Sequence, residues 1–169
     1  MSAVLTLQDR LDIHDLVSRY AWCLDTADAD GFVACFGAEG ELVWDVFETP
    51  GSWRGAAALR RFVDYFKGRP ESALRQHHVS NLTVTLDGGK VRARSYVLVA
   101  LRDGAGPHRV NVMGHYDDEL SCETGHWQFR RRVIRDWSGP VVANFAGQDG
   151  ARSVRPRPQA LDGLWATQS

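Results

Sequence analysis

The chain has 169 residues, 44% of them apolar and 24% charged, with a formal net charge of -1. That length and balance suit one globular domain with a sizeable core, and the near-zero charge excludes whole-protein attraction to nucleic acid or to an anionic membrane. No window approaches the ~20 apolar residues of a membrane-spanning helix. The start, MSAVLTLQDRLD, has no basic stretch followed by a long apolar run, so no signal peptide is expected. Cys23, Cys35 and Cys122 are odd in number and lack C-x-x-C spacing. This argues against a disulfide framework and a zinc ribbon, and makes a reduced, cytoplasmic setting the default.

Thr6 with Asp9 three residues later reads as a helix start of the capping-box kind. Ile13, Leu16, Val17, Tyr20 and Leu24 then repeat at the i, i+3, i+4 rhythm of one buried face, which predicts a helix from Leu7 to Leu24. Asp28 or Asp30 opens a second short helix through GFVACF, stopped near Gly37. GELVWDVF, Gly40 to Phe47, reads as a strand covered on both faces. TPGS breaks the chain, and GAAALRRFVDYF, Gly55 to Phe66, reads as a third helix.

The rest is nearly all strand: QHHVSNLTVTL, KVRARSYVLVAL, HRVNVMGHYDDELSC and HWQFRRRVIRDW, joined by hairpin-like DGG, RDGAGP and ETG. The predicted class is α+β, a curved mixed or antiparallel sheet with three helices on its concave face. Residues 1–137 form the domain. Residues 138–169 form an extension holding Pro140, Pro156, Pro158, Arg152, Arg155 and Arg157. Its Phe145, Leu161, Leu164 and Trp165 are costly to leave in water. They imply a tail that caps its own pocket or a neighbouring subunit, against the alternative of a loose terminus.

Nucleotide fingerprints, phosphate loops, the Gly-x-Ser-x-Gly elbow and His-Glu-x-x-His are all missing. No cofactor is therefore expected, and no local spacing supports a metal. What remains is carboxylate, imidazole and phenol. His77 and His78 are strand neighbours, so they point to opposite faces, and one should face the helix-covered side. A histidine serves as a general base when a carboxylate fixes its tautomer. Asp25, where the first helix stops, is the candidate for that carboxylate; the alternative is a cap for the next helix. Tyr20, one turn earlier, offers a phenol to a leaving oxygen or a carbonyl, or else is core. His115 and Tyr116 are opposed neighbours, either of which could line a cavity. Asp117, Asp118 and Glu119 read most simply as a solvated face, though Asp118 shares the side of Tyr116. The arginines at 130, 131, 132 and 135 read mainly as ion-pair partners, with Arg135 kept as an anion or oxyanion ligand. Trp44 and Trp53 are aromatic wall, either contacting a substrate or filling the cone.

Together, DRLDIHDLVSRYAWCLD, GSWRGAAALRRF, HHVSNLTVTLDGGKVRARSY and GHYDDELSCETGHWQFRRRV resemble the SnoaL-like branch of the nuclear-transport-factor-two-like superfamily, over about Leu5 to Trp137. The resemblance implies a cone-shaped domain with a deep apolar pocket. It includes scytalone dehydratase, the bile-acid dehydratase, the lindane dehydrochlorinase, polyketide cyclases, ketosteroid isomerase and the small subunits of ring-hydroxylating dioxygenases. A Tyr five residues before a dyad Asp maps onto Tyr20 and Asp25. A dyad His four residues before an Asn maps onto His77 and Asn81, with His78 one residue away. The carboxylate base of ketosteroid isomerase has no counterpart here. The resemblance thus implies a cofactor-independent lyase of the dehydratase type, acting on a small apolar cyclic substrate, with an isomerase or cyclase outcome on the same dyad as the alternative. It equally allows a non-catalytic assembly subunit. It also implies a homodimer or homotrimer.

Overall fold

The computed structural model describes residues 4–69, 72, 74–102, 104–137 and 154–168. Phe145 and the rest of 138–153 lie outside them. In chain order come α1 (Leu7–Asp25), α2 (Ala29–Ala34), β1 (Phe36–Asp45), β2 (Gly51–Arg54), α3 (Gly55–Lys67), β3 (Gln76–Asp87), β4 (Lys90–Arg102), β5 (His108–Ser121), β6 (Gln128–Asp136), a 3-10 turn (Gln159–Leu161) and α4 (Asp162–Trp165).

The six strands form one open sheet in the order β2-β1-β6-β5-β4-β3. β1 runs parallel to β6 and every other neighbouring pair is antiparallel. The sequence reading misses β2, because the turn residues before it mask a strand of only four residues. It also starts β1 four residues late: α2 ends at Ala34, and Phe36 already pairs with Phe129 of β6. Gly114 is required where β5 meets β6, since a Cβ there would stand 1.9 Å from the Arg135 carbonyl oxygen.

α1 starts on a reciprocal capping box. Asp9 N–H donates to Thr6 Oγ1 at 3.1 Å, and Thr6 N–H donates to Asp9 Oδ2 at 2.8 Å. Its periodic residues Ile13, Leu16, Val17, Tyr20 and Leu24 are all buried. Each such side chain contributes about 1.5–3 kcal/mol by leaving water. Asp9 also accepts from Trp127 Nε1 at 3.0 Å, tying the start of α1 to the β5–β6 hairpin.

The segment after residue 153 packs back on the domain. The Arg155 N–H donates to the Val46 carbonyl at 3.1 Å, extending β1 by one parallel bridge at Phe47. Leu164 is fully buried, and Trp165 sits among Trp44, Phe47 and Trp53 with ring centroids 5.3–5.7 Å apart. Trp53 Nε1 donates to Thr167 Oγ1, and Gln168 Oε1 accepts from the Ser52 N–H. The aromatic burial explains why this segment holds its place without a long strand or helix of its own.

Candidate active site

Asp25 is the last residue of α1. Thr26 closes the helix by donating its N–H to the Trp22 carbonyl, and Ala27 turns the chain at a φ of 55°. The cap of α2 is Asp28, which accepts from the Gly31 N–H at 2.9 Å. Asp25 is thereby released from capping, and its carboxylate points at the start of β3. Oδ1 lies 2.5 Å from His77 Nδ1, and Oδ2 accepts the His77 backbone N–H at 2.7 Å. Two anchors on one carboxylate fix both its position and the ring it faces.

His77 faces the helix-covered side, opposite Val99 of β4, and its side chain is 9% exposed. His78 takes the other face and is exposed. The register slips between Ser80 and Thr83, where Asn81 adopts a φ of 54°. Asn is among the residues that tolerate this conformation, so the bulge falls after the histidines and leaves their facing unchanged. Burial lowers the His77 pKa from its ordinary value; Asp25 opposes this, and the charges of Arg75 and Arg132 add to the lowering. The ring is therefore neutral near pH 7. With Nδ1–H donated to Asp25, Nε2 carries the lone pair, and it has no hydrogen-bond partner among the described residues.

His77 opens onto a cavity of about 370 Å³, within the ~300–1,000 Å³ range of small-molecule sites. The wall is mainly apolar, with Trp44, Phe47, Phe62, Phe66 and Tyr116 among the lining residues. One side is closed by Pro158, Ala160 and Leu161 of the C-terminal segment. Arg75 is beside the dyad, its Nε 3.7 Å from Asp25 Oδ1 and its Nη2 donating to the Leu24 carbonyl.

Of the other residues singled out in the sequence, Trp44 and Tyr116 line this cavity. Tyr20 does not. It is wholly buried behind Tyr116, ring centroids 5.8 Å apart, in a cluster with Phe32, Phe36 and Phe129. Its hydroxyl makes no hydrogen bond, and burial pushes its pKa well above the ordinary phenol value. Trp53 shares the sheet face of Trp44 but is sealed by Phe62 and Trp165. His115 and Arg135 fall on the opposite face, one residue out of step with Tyr116 and Ile134. There His115 Nδ1 accepts from Trp137 Nε1 at 2.8 Å, and Arg135 pairs with Asp45 and Asp117. These three residues do not reach the cavity.

Three further arginines matter that the sequence reading does not single out as site candidates, although it takes Arg132 as an ion-pair partner, which it is. Arg132 is fully buried and forks onto Asp118 at 2.8 and 2.7 Å, so Asp118 is core and not solvated face. Its guanidinium lies 3.9–4.2 Å from the ring centroids of Phe129, Tyr20 and Tyr116. Burial opposes its charge, but the Asp118 carboxylate outweighs that and keeps it charged. Strand parity carried this signal, since Arg132 and Ile134 share a face that Arg135 cannot. Arg75 and Arg155 also line the cavity. Arg155 has no local signal, because its position depends on the return of the tail to β1. Among the described residues, no group of His, Cys, Asp and Glu is arranged to hold a metal ion, and no helix is long and apolar enough to cross a membrane.

The comparisons with known proteins agree on the fold. A Mycobacterium tuberculosis protein of unknown function, solved as an aspartate-to-asparagine variant, superposes with a TM-score of 0.71 at 25% identity, covering 95% of this chain and 96% of that one. A Novosphingobium aromaticivorans protein named for a proposed aromatic ring hydroxylase activity gives 0.64 at 28% identity, covering 80% and 92%. Another from that organism, named for a proposed scytalone dehydratase activity, gives 0.65 at 22%, covering 78% and 85%. No curated protein matches the sequence. The model of the SnoaL-like domain matches residues 5–133, and the chain belongs to that family.

Proposed function

We propose that this protein is a cofactor-independent lyase of the dehydratase type, acting on a small cyclic substrate. The observation that carries the reading is the Asp25–His77 pair at 2.5 Å, with His77 itself lining a mostly apolar cavity. His77 Nε2 takes a proton from the carbon next to a carbonyl. Asp25 holds the tautomer and balances the imidazolium that forms. The electron pair of the broken C–H bond becomes the new C=C bond, and the neighbouring C–O bond breaks. The leaving hydroxide departs as water with the proton of the imidazolium, given directly or through Tyr116 on the cavity wall, whose phenol the imidazolium then reprotonates. A positioned acid or base of this kind gives ~10²–10⁴-fold. An isomerase or cyclase outcome would use the same base and differ in where the proton returns.

The alternative, an assembly subunit with a filled cone, is less well supported. The aromatic cluster around Tyr20 fills one end, but the cavity at His77 remains open. The test is a panel of cyclic β-hydroxy-ketones, with and without a carboxylate substituent, followed by the ultraviolet absorbance of the enone. The expected result is elimination by the wild-type protein and its loss in His77→Gln. No turnover by the wild type, or equal turnover by the variant, would sink the lyase reading.

A further inference from the structure

The cavity is apolar in its interior but cationic in its polar groups. Arg69, Arg75, Arg109 and Arg155 all line it, and no Asp or Glu is among the described lining residues. In a chain of net charge -1 this is a local concentration, not a general excess. Apolar walls focus such a field, because they keep high-dielectric water from screening it.

Arg155 is the arginine best placed to meet a ligand. Its backbone is pinned to Val46, and its guanidinium lies over the Phe47 ring, 5.3 Å from the centroid. Its Nε forms an ion pair with Asp136 Oδ2 at 3.1 Å, which holds the guanidinium at the edge of the cavity. Arg109 and Asn111, at the start of β5, are exposed and border the same cavity. Arg155 flanks the end of β1, whereas His77 is on β3. Those strands are four places apart in the sheet order, yet both residues line the one cavity. A ligand in this cavity therefore meets the base at one side and the guanidinium of the C-terminal segment at the other.

We propose that the substrate is an anion: an apolar ring system bearing a carboxylate, which Arg155 binds with Arg109 and Asn111 while the reacting carbon lies at His77. This rests on the lyase reading for the placement of the reacting carbon, but the charge selection does not need turnover. Carboxylate recognition suits a guanidinium, which offers parallel N–H donors in a fixed fork. The C-terminal segment is thus a specificity element as well as a wall.

The test uses 2-naphthoate and its neutral methyl ester as probes, with binding to the full chain followed by calorimetry at low and high salt. The acid should bind about tenfold more tightly than the ester, the scale of one charge-assisted hydrogen bond. That preference should shrink as salt rises. Arg155→Gln should erase most of it while leaving ester affinity unchanged, and Arg155→Lys should restore part of it. Equal or tighter binding of the ester, no saturable binding of the acid, or an unchanged ratio in Arg155→Gln would overturn the proposal. The two readings fail separately. Acid preference without elimination on any panel member removes the lyase and leaves the anion site. Elimination confined to neutral ketones, with no acid preference, removes the anion site and leaves the lyase.

Discussion

Asp25 grips His77 twice, one carboxylate oxygen on the ring Nδ1 at 2.5 Å and the other on the backbone N–H of the same residue at 2.7 Å. The backbone contact holds the carboxylate in place even when the ring bond is altered. Asp25→Asn is nearly isosteric, so the fold should survive. An amide that turns its NH₂ toward the ring no longer accepts the Nδ1 proton and favours the wrong tautomer. Turnover should fall by ~10²–10⁴-fold. A variant with near-normal turnover would end the role of Asp25.

The pH dependence follows from the lowered pKa of His77. The base works when neutral, and burial keeps it neutral to lower pH than a free imidazole, whose pKa is about 6.5. kcat/KM should rise with pH through a midpoint below ~6.5 and level off above it. Stability carries the same sign. The unfolded chain binds this proton more readily than the folded one, so the contribution is full above the unfolded pKa. It is lost as pH falls through the folded value. An NMR titration resolving the His77 ring decides the point, and a midpoint above the free value would contradict it.

The Arg132–Asp118 pair has no exposure on either side chain. Removing one partner strands the other charge in the core. Arg132→Met should therefore cost about 3–5 kcal/mol, and Asp118→Leu a similar amount. Replacing both together should recover most of the loss, because the double variant buries no charge. Denaturant unfolding of the four proteins measures the coupling. Additive losses would mean that the two charges are not a closed pair.

The alternation of apolar residues made the helices and long strands legible, and Thr6 with Asp9 marked the first helix correctly. Strand parity separated His77 from His78 and Tyr116 from His115. Sequence alone did not say which parity faced inward, since charged residues lie on both faces of β5 and β6. Asp118 and Arg132 are core while Asp117 and Arg135 are not. Composition ranks all four as surface, and only the cross-strand register Asp118↔Arg132 turns two of them into a buried pair. The placement of Trp53 and Arg155 was illegible for a different reason. Both depend on the C-terminal segment returning over β1 and β2, a contact between residues more than 100 positions apart.

Tyr20 and Tyr116 stack edge to face, but only Tyr116 reaches the cavity. Substitution by Phe separates their roles. Tyr116→Phe removes a phenol from the site and should reduce kcat by about tenfold or more if it supplies the departing proton. Tyr20→Phe removes a buried hydroxyl that makes no hydrogen bond. An unsatisfied buried hydroxyl costs about 1–3 kcal/mol, so this variant should be as stable as the wild type or more so. Its ring still packs on Phe32, Phe36 and Phe129, so the cluster beneath Tyr116 keeps its shape. Turnover should stay within about threefold, since neither cavity polarity nor the dyad changes. Thermal unfolding and steady-state kinetics on both variants make the comparison. A Tyr20→Phe protein that folds normally yet loses turnover would give the buried phenol a role in the reaction.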